Sequence, residues 1–139
     1  MEMKTFRDVA DGLRKSGVPV TLQRLEIARV LLSRPVHMSA DQILAKVRET
    51  TPETSRATVY NTLKLFREKK LVRELIVDPE RVFYDSNTSP HHHMYNVSTG
   101  ELSDVWNDEL QVVGSPNLPE GVELEEIDVV VRVRSKQPA

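Results

Sequence analysis

The hydrophobic period of this chain changes near Lys70, and that change sharply limits the folds open to it. Before Lys70, apolar residues recur at helical spacing; after it, they roughly alternate. Phe6, Val9, Ala10 and Leu13 lie on one face of a helix over 6–15, which Ser16-Gly17 and Pro19 interrupt. Thr21 is a good N-cap for a second helix through "LQRLEIARVLLS", which Pro35 stops. "SADQ" from Ser39 has the capping-box pattern and opens a third helix through Ile43, Leu44 and Val47. "TTPETS" reads as a loop, and a fourth helix opens at Thr54 or Ser55 and runs through "RATVYNTLKLFREKK", burying Val59, Leu63 and Phe66. "LVRELIV" and "RVFYD", joined by the turn sequence "DPE", then read as a hairpin.

Helices followed by a short hairpin predict a winged helix-turn-helix, with 55–69 as the recognition helix. From Ser55 onward that helix offers Arg56, Thr58, Tyr60, Asn61 and Lys64, groups suited to base edges and phosphates. Arg24 on the second helix is expected to contact phosphate. The competing reading is a solvated amphipathic helix in an unrelated bundle. Charge separates the halves: residues 1–80 carry 15 Lys/Arg against 11 Asp/Glu, and residues 81–139 carry 4 against 10. A basic first half next to an acidic second half fits a polyanion partner for the first.

The second half reads as strands: 91–97 and 101–105 flank "STG", and "VELEEIDVVVRVR" alternates Ile127, Val129, Val131 and Val133 with charged residues. The stretch "FYDSNTSPHHHMYNVSTGELSD" contains three of the four histidines, flanked by Asp85 and Asp104. In a strand His91 and His93 share a face while His92 points away. With Asp85 and Asp104 on neighbouring strands, they make a nitrogen/oxygen ligand set suited to Fe2+, Mn2+ or Zn2+. His37, in the loop between helices two and three, is a further candidate. The chain has no cysteine, which excludes thiolate zinc sites, iron–sulfur clusters and thiol catalysis and fits a reducing cytosol. The N-terminus has no signal-peptide core, and no run approaches the ~20 apolar residues of a membrane span. A soluble, cytoplasmic protein is expected, with no membrane partner.

Taken together, "VTLQRLEIARVLL", "HMSADQI", "SRATVYNTLKLF" and "HHHMYNVSTGELSDV" resemble, in order and spacing, the ferric uptake regulator (Fur) family over about residues 10–105. The resemblance implies an α+β chain: a winged helix-turn-helix DNA-binding domain over 1–85, then a small α/β metal-sensing dimerisation domain over 86–139. It implies a homodimeric transcription factor, not an enzyme, binding an A/T-rich palindromic operator in double-stranded DNA. It also implies one divalent metal per subunit on His37, Asp85, His91, His93 and Asp104. Asp104, where iron sensors commonly carry glutamate, resembles the peroxide-responsive branch. "FYDSN", "HHH" and the C-terminal segment resemble the iron-response regulators, for which haem on His91, His92 and His93 is the alternative. The positions of the family's first CxxC pair hold Asn96 and Thr99, so no structural zinc held by four cysteines is expected. Pro90 and Gln111 replace ligands of a further site found in some members. Pro19 replaces a basic minor-groove residue, leaving Arg14 or Lys15 for that contact. A zinc hydrolase is the reading from a different class.

Overall fold

The computed structural model describes residues 4–106 and 108–137. The chain divides into two compact units, one ending at Thr88 and the other starting at Ser89.

The first unit opens with α1 (Phe6–Lys15), where Thr5 and Asp8 close a reciprocal capping box. Gly17, at φ 79°, takes the left-handed conformation that ends this helix. α2 (Leu22–Leu32) starts from Thr21, whose hydroxyl accepts from the Arg24 N–H. α3 (Ala40–Arg48) starts from a second capping box, Ser39 with Gln42. α4 (Arg56–Glu68) starts from Ser55, whose Oγ accepts from the Thr58 N–H. The apolar faces of these helices converge on Leu13, Ile27, Leu31, Ile43, Val47, Val59, Leu63 and Phe66, all fully buried.

Two strands follow α4, β2 (Arg73–Asp78) and β3 (Arg81–Asp85), joined by a turn in which Asp78 accepts from the Glu80 N–H. A third strand, β1 (His37–Ser39), precedes α3 and pairs antiparallel with β3, giving the order β1-β3-β2. His37 therefore sits on a strand and not in the loop expected for it. Three residues are too few to display alternation, and the strand exists through a partner almost fifty positions away. The wing is thus a three-stranded sheet.

In the second unit, β4 (His92–Asn96) pairs antiparallel with β5 (Leu102–Val105) and parallel with β6 (Val130–Val133). Between β4 and β5 the Asn96 side chain accepts from the Ser98 and Thr99 N–H groups, and Gly100 at φ 77° closes the turn. Asn96 and Thr99, the positions at which the resemblance would place a cysteine pair, are thus turn residues. The strand expected from Ile127 onward is shorter, because β4 offers partners only from His93, opposite Val130, to Asn96, opposite Val133. Ile127 lies outside the ladder and is exposed. Between β5 and β6 the described residues form no strand or helix, consistent with Gly114, Pro116, Pro119 and Gly121 in that segment. Val113, Leu118, Val122 and Leu124 are exposed there.

Candidate metal centre and nucleic-acid interface

The ligand cluster of the second unit follows from strand register. His93 on β4 lies directly opposite Asp104 on β5, and His91, two residues earlier, projects to the same face. The His91 and His93 rings lie 4.5 Å apart, centroid to centroid. Asp104 Oδ1 is 3.2 Å from His91 Nε2 and 3.6 Å from His93 Nε2. One ligand atom from each of His91, His93 and Asp104 falls within 4.8 Å of the other two. Both rings are buried, and Trp106 lies 5.3 Å from the His91 ring.

The hydrogen bonding of His91 tests whether this set fits a cation. Its Nδ1 is 2.6 Å from the Ser89 carbonyl, which can only accept, so Nδ1 carries the proton. In the neutral ring Nε2 is then a bare lone pair, and it faces the carboxylate oxygen of Asp104. Two acceptors at 3.2 Å repel unless a proton or a cation lies between them. A ring whose far nitrogen is anchored to a carbonyl is also the usual orientation of a metal-bound histidine. The donor set fits a divalent metal of the Fe2+, Mn2+ or Zn2+ type.

His92 faces the other way. Its Nδ1 accepts from the Val129 N–H at 3.3 Å, so this ring ties the segment before β6 to β4. The three histidines therefore do not present a common face, and all are buried. In the first unit, His37 lies opposite Asp85 in the β1–β3 ladder. Asp85 is buried, and its carboxylate accepts from the Asn87 N–H at 2.8 Å. Sequence reasoning missed Ser89 and Trp106, since neither a carbonyl anchor nor a neighbouring tilted ring has a spacing signature.

On α4, Arg56, Tyr60 and Lys64 recur every four residues and are exposed, with Asn61 beside them. Tyr60 is 46% exposed. Ser55 and Thr58 are engaged in the helix cap, their hydroxyls 2.8 Å apart. Arg24 Nη1 donates to the Pro19 carbonyl at 2.9 Å, bracing the turn before α2. Arg56 is ion-paired with Asp41 of α3. That pairing raises the guanidinium further above its ordinary value, its hydrogen bond to Asp41 being the largest cause.

A winged helix with an exposed polar face on its last helix, joined to a β unit with a buried histidine–aspartate cluster, defines the class of this molecule. The ferric uptake regulator family matches residues 15–132, and the chain belongs to that family. The peroxide-responsive repressor PerR of Staphylococcus epidermidis is 37% identical over 93 residues, which are 67% of this chain and 62% of that protein. This chain thus spans less than two thirds of the length of the curated relatives it matches. The ferric uptake regulator of Pseudomonas aeruginosa, solved with manganese, superposes with a TM-score of 0.69 at 28% identity, over 93% of this chain and 98% of that one. The peroxide stress regulator of Campylobacter jejuni shares the fold, with a TM-score of 0.63 at 21% identity, over 99% and 100% of the two chains. Among the described residues, no helix is long and apolar enough to cross a membrane.

Proposed function

We propose that this chain is a metal-dependent DNA-binding transcriptional regulator, a repressor of iron-homeostasis or peroxide-stress genes acting as a homodimer in the cytoplasm. The observation that carries the reading is the His91–His93–Asp104 cluster, in a chain of this family whose α4 presents Arg56, Tyr60, Asn61 and Lys64 to solvent. In this reading the first unit is the DNA-binding domain and the second the metal-sensing dimerisation domain. His37, Asp85, His91, His93 and Asp104 would hold one divalent ion per subunit. When bound, that ion would supply positive charge to these nitrogen and oxygen donors. The exposed apolar side chains between β5 and β6 suit a dimer contact made without a cysteine zinc site. The two recognition helices of such a dimer would read half-sites of an A/T-rich palindrome.

Residues of the chain itself account for the coupling. His37 and Asp85 are neighbours on adjacent wing strands, and Asp85 closes the strand that leads out of the first unit. A restraint on these two residues therefore acts on the wing. A protein that samples several arrangements binds DNA more weakly by the fraction that is competent, and a restraint removes that loss. A regulator accounts for the exposed polar face of α4, which a zinc hydrolase leaves unexplained. No observation favours haem, since the three buried imidazoles do not share a face.

The test is operator binding by anaerobically purified protein with Mn2+ or Fe2+, with and without chelator, before and after peroxide. Sequence-specific binding that needs metal is expected. Loss of binding after peroxide with Fe2+ but not Mn2+ would assign the peroxide branch. Sequence-specific binding indifferent to metal would overturn the reading.

A further inference from the structure

The face of α4 includes a contact that a helix reading DNA does not need for its own folding. Asp41, in the first turn of α3, pairs through Oδ1 with Arg56 Nη1, fifteen positions on at the start of α4. Both side chains are largely exposed, at 73% and 59%. As a stabilising ion pair it would therefore be weak. Tyr60 lies one turn further along the same exposed face of α4. A carboxylate on α3 thus holds a guanidinium on α4.

The chemistry of arginine gives this arrangement a use. The guanidinium is a planar fork of five donors, and one edge can rest on a carboxylate while another presents paired donors outward. Guanine offers two acceptors at matching spacing in the major groove. An arginine already held in place loses less rotamer freedom on binding than a free one, so its contact discriminates more sharply. The carboxylate also carries a cost, because a negative charge near phosphates weakens binding to any DNA. A residue whose only effect is that repulsion and one that orients a reader have opposite signatures.

We propose that Asp41 is a positioning residue for base readout: it aims the Arg56 guanidinium at a guanine in each half-site. This rests on reading α4 as the recognition helix, and it adds a determinant from α3 that no base contact of α4 requires.

The experiment uses the metal-loaded full chain and a duplex that the wild type selects from a random-sequence library, with every base pair then varied. Failure of the wild type to select any sequence would remove the recognition-helix reading itself. Given a selected site, Arg56→Ala identifies the base pair that Arg56 reads. Asp41→Asn is expected to lower discrimination at that same base pair by roughly two- to fivefold, the scale of an exposed ion pair, while binding to random DNA tightens. Asp41→Glu should restore part of the discrimination, and Asp41→Asn should add nothing at that position when Arg56 is already alanine. Loss of an acidic residue from the first turn of α3 could also weaken the helix, which would lower the melting temperature and both DNA affinities together. That outcome, or a gain in specific and random binding alike, would overturn the proposal.

Discussion

Tyr60, Arg56 and Lys64 occupy one stripe of α4 but differ in what they can discriminate. A phenol or a guanidinium can touch the edge of a single base pair, whereas an ammonium is a point charge that any phosphate satisfies. Tyr60→Ala is expected to cost about 1–3 kcal/mol at one base position and little elsewhere. Lys64→Ala should weaken all sequences alike and reduce the salt slope by about one. Equilibrium titrations on the operator and on random DNA at several salt concentrations separate the two. Unchanged discrimination by Tyr60→Ala would show that α4 does not read bases. At this scale alternation is enough to set His91 and His93 on one face of a strand, and the ladder places Asp104 opposite His93. The Ser89 carbonyl, the Trp106 ring and the Asp41 carboxylate have no such signal. Asp41 sits inside a sequence that reads completely as a capping box, and its partner comes from a different helix.

Elements are most legible where a cap and an apolar period agree. α2 and α3 begin at the N-caps read from the sequence, Thr21 and Ser39, and α4 at Ser55, one of the two starts it offers. The Thr5 cap of α1 goes unmarked in that reading, though each cap is a local bond between residues three apart. β1 is invisible in the sequence because it exists only through β3, and β6 is shorter than its alternating sequence because β4 is short. The two ends of α4 show how unequal local choices can be. Ser55 is a favourable N-cap, and Ser55→Ala should destabilise by about 1 kcal/mol. The other end is a Schellman turn, with the Leu71 N–H on the Phe66 carbonyl at 2.9 Å and the Lys70 N–H on the Arg67 carbonyl at 3.0 Å. Lys70 holds the left-handed position there at φ 60°, where α1 uses Gly17. Lys70→Gly should therefore stabilise by up to about 1 kcal/mol. Thermal melts should move in opposite directions for the two variants, by about 4–8 °C per kcal/mol in a domain of this size. A lower melting temperature for Lys70→Gly would mean that the lysine side chain contributes more than its backbone strain costs.

For the whole molecule, the question is whether metal affinity and DNA affinity are separable. His91, His93 and Asp104 belong to one unit, and each offers a ligand atom within 4.8 Å of the others. His37 and Asp85 belong to the other, on the strands of the wing. If one metal takes ligands from both, removing a first-unit ligand should divide two properties that otherwise move together. His37→Ala should bind metal with moderately reduced affinity, because most nitrogen and oxygen donors survive. Its operator affinity at saturating metal should nevertheless fall toward the metal-free value, because linkage requires the ion to interact differently with competent and incompetent arrangements. Calorimetry with Mn2+ and operator titrations on the same preparations supply the two numbers. His93→Ala provides the contrast, losing metal binding and metal-dependent DNA binding together. Normal metal-dependent operator binding by His37→Ala would mean that the second unit senses metal alone, and that its signal reaches the wing by some route other than a shared ion.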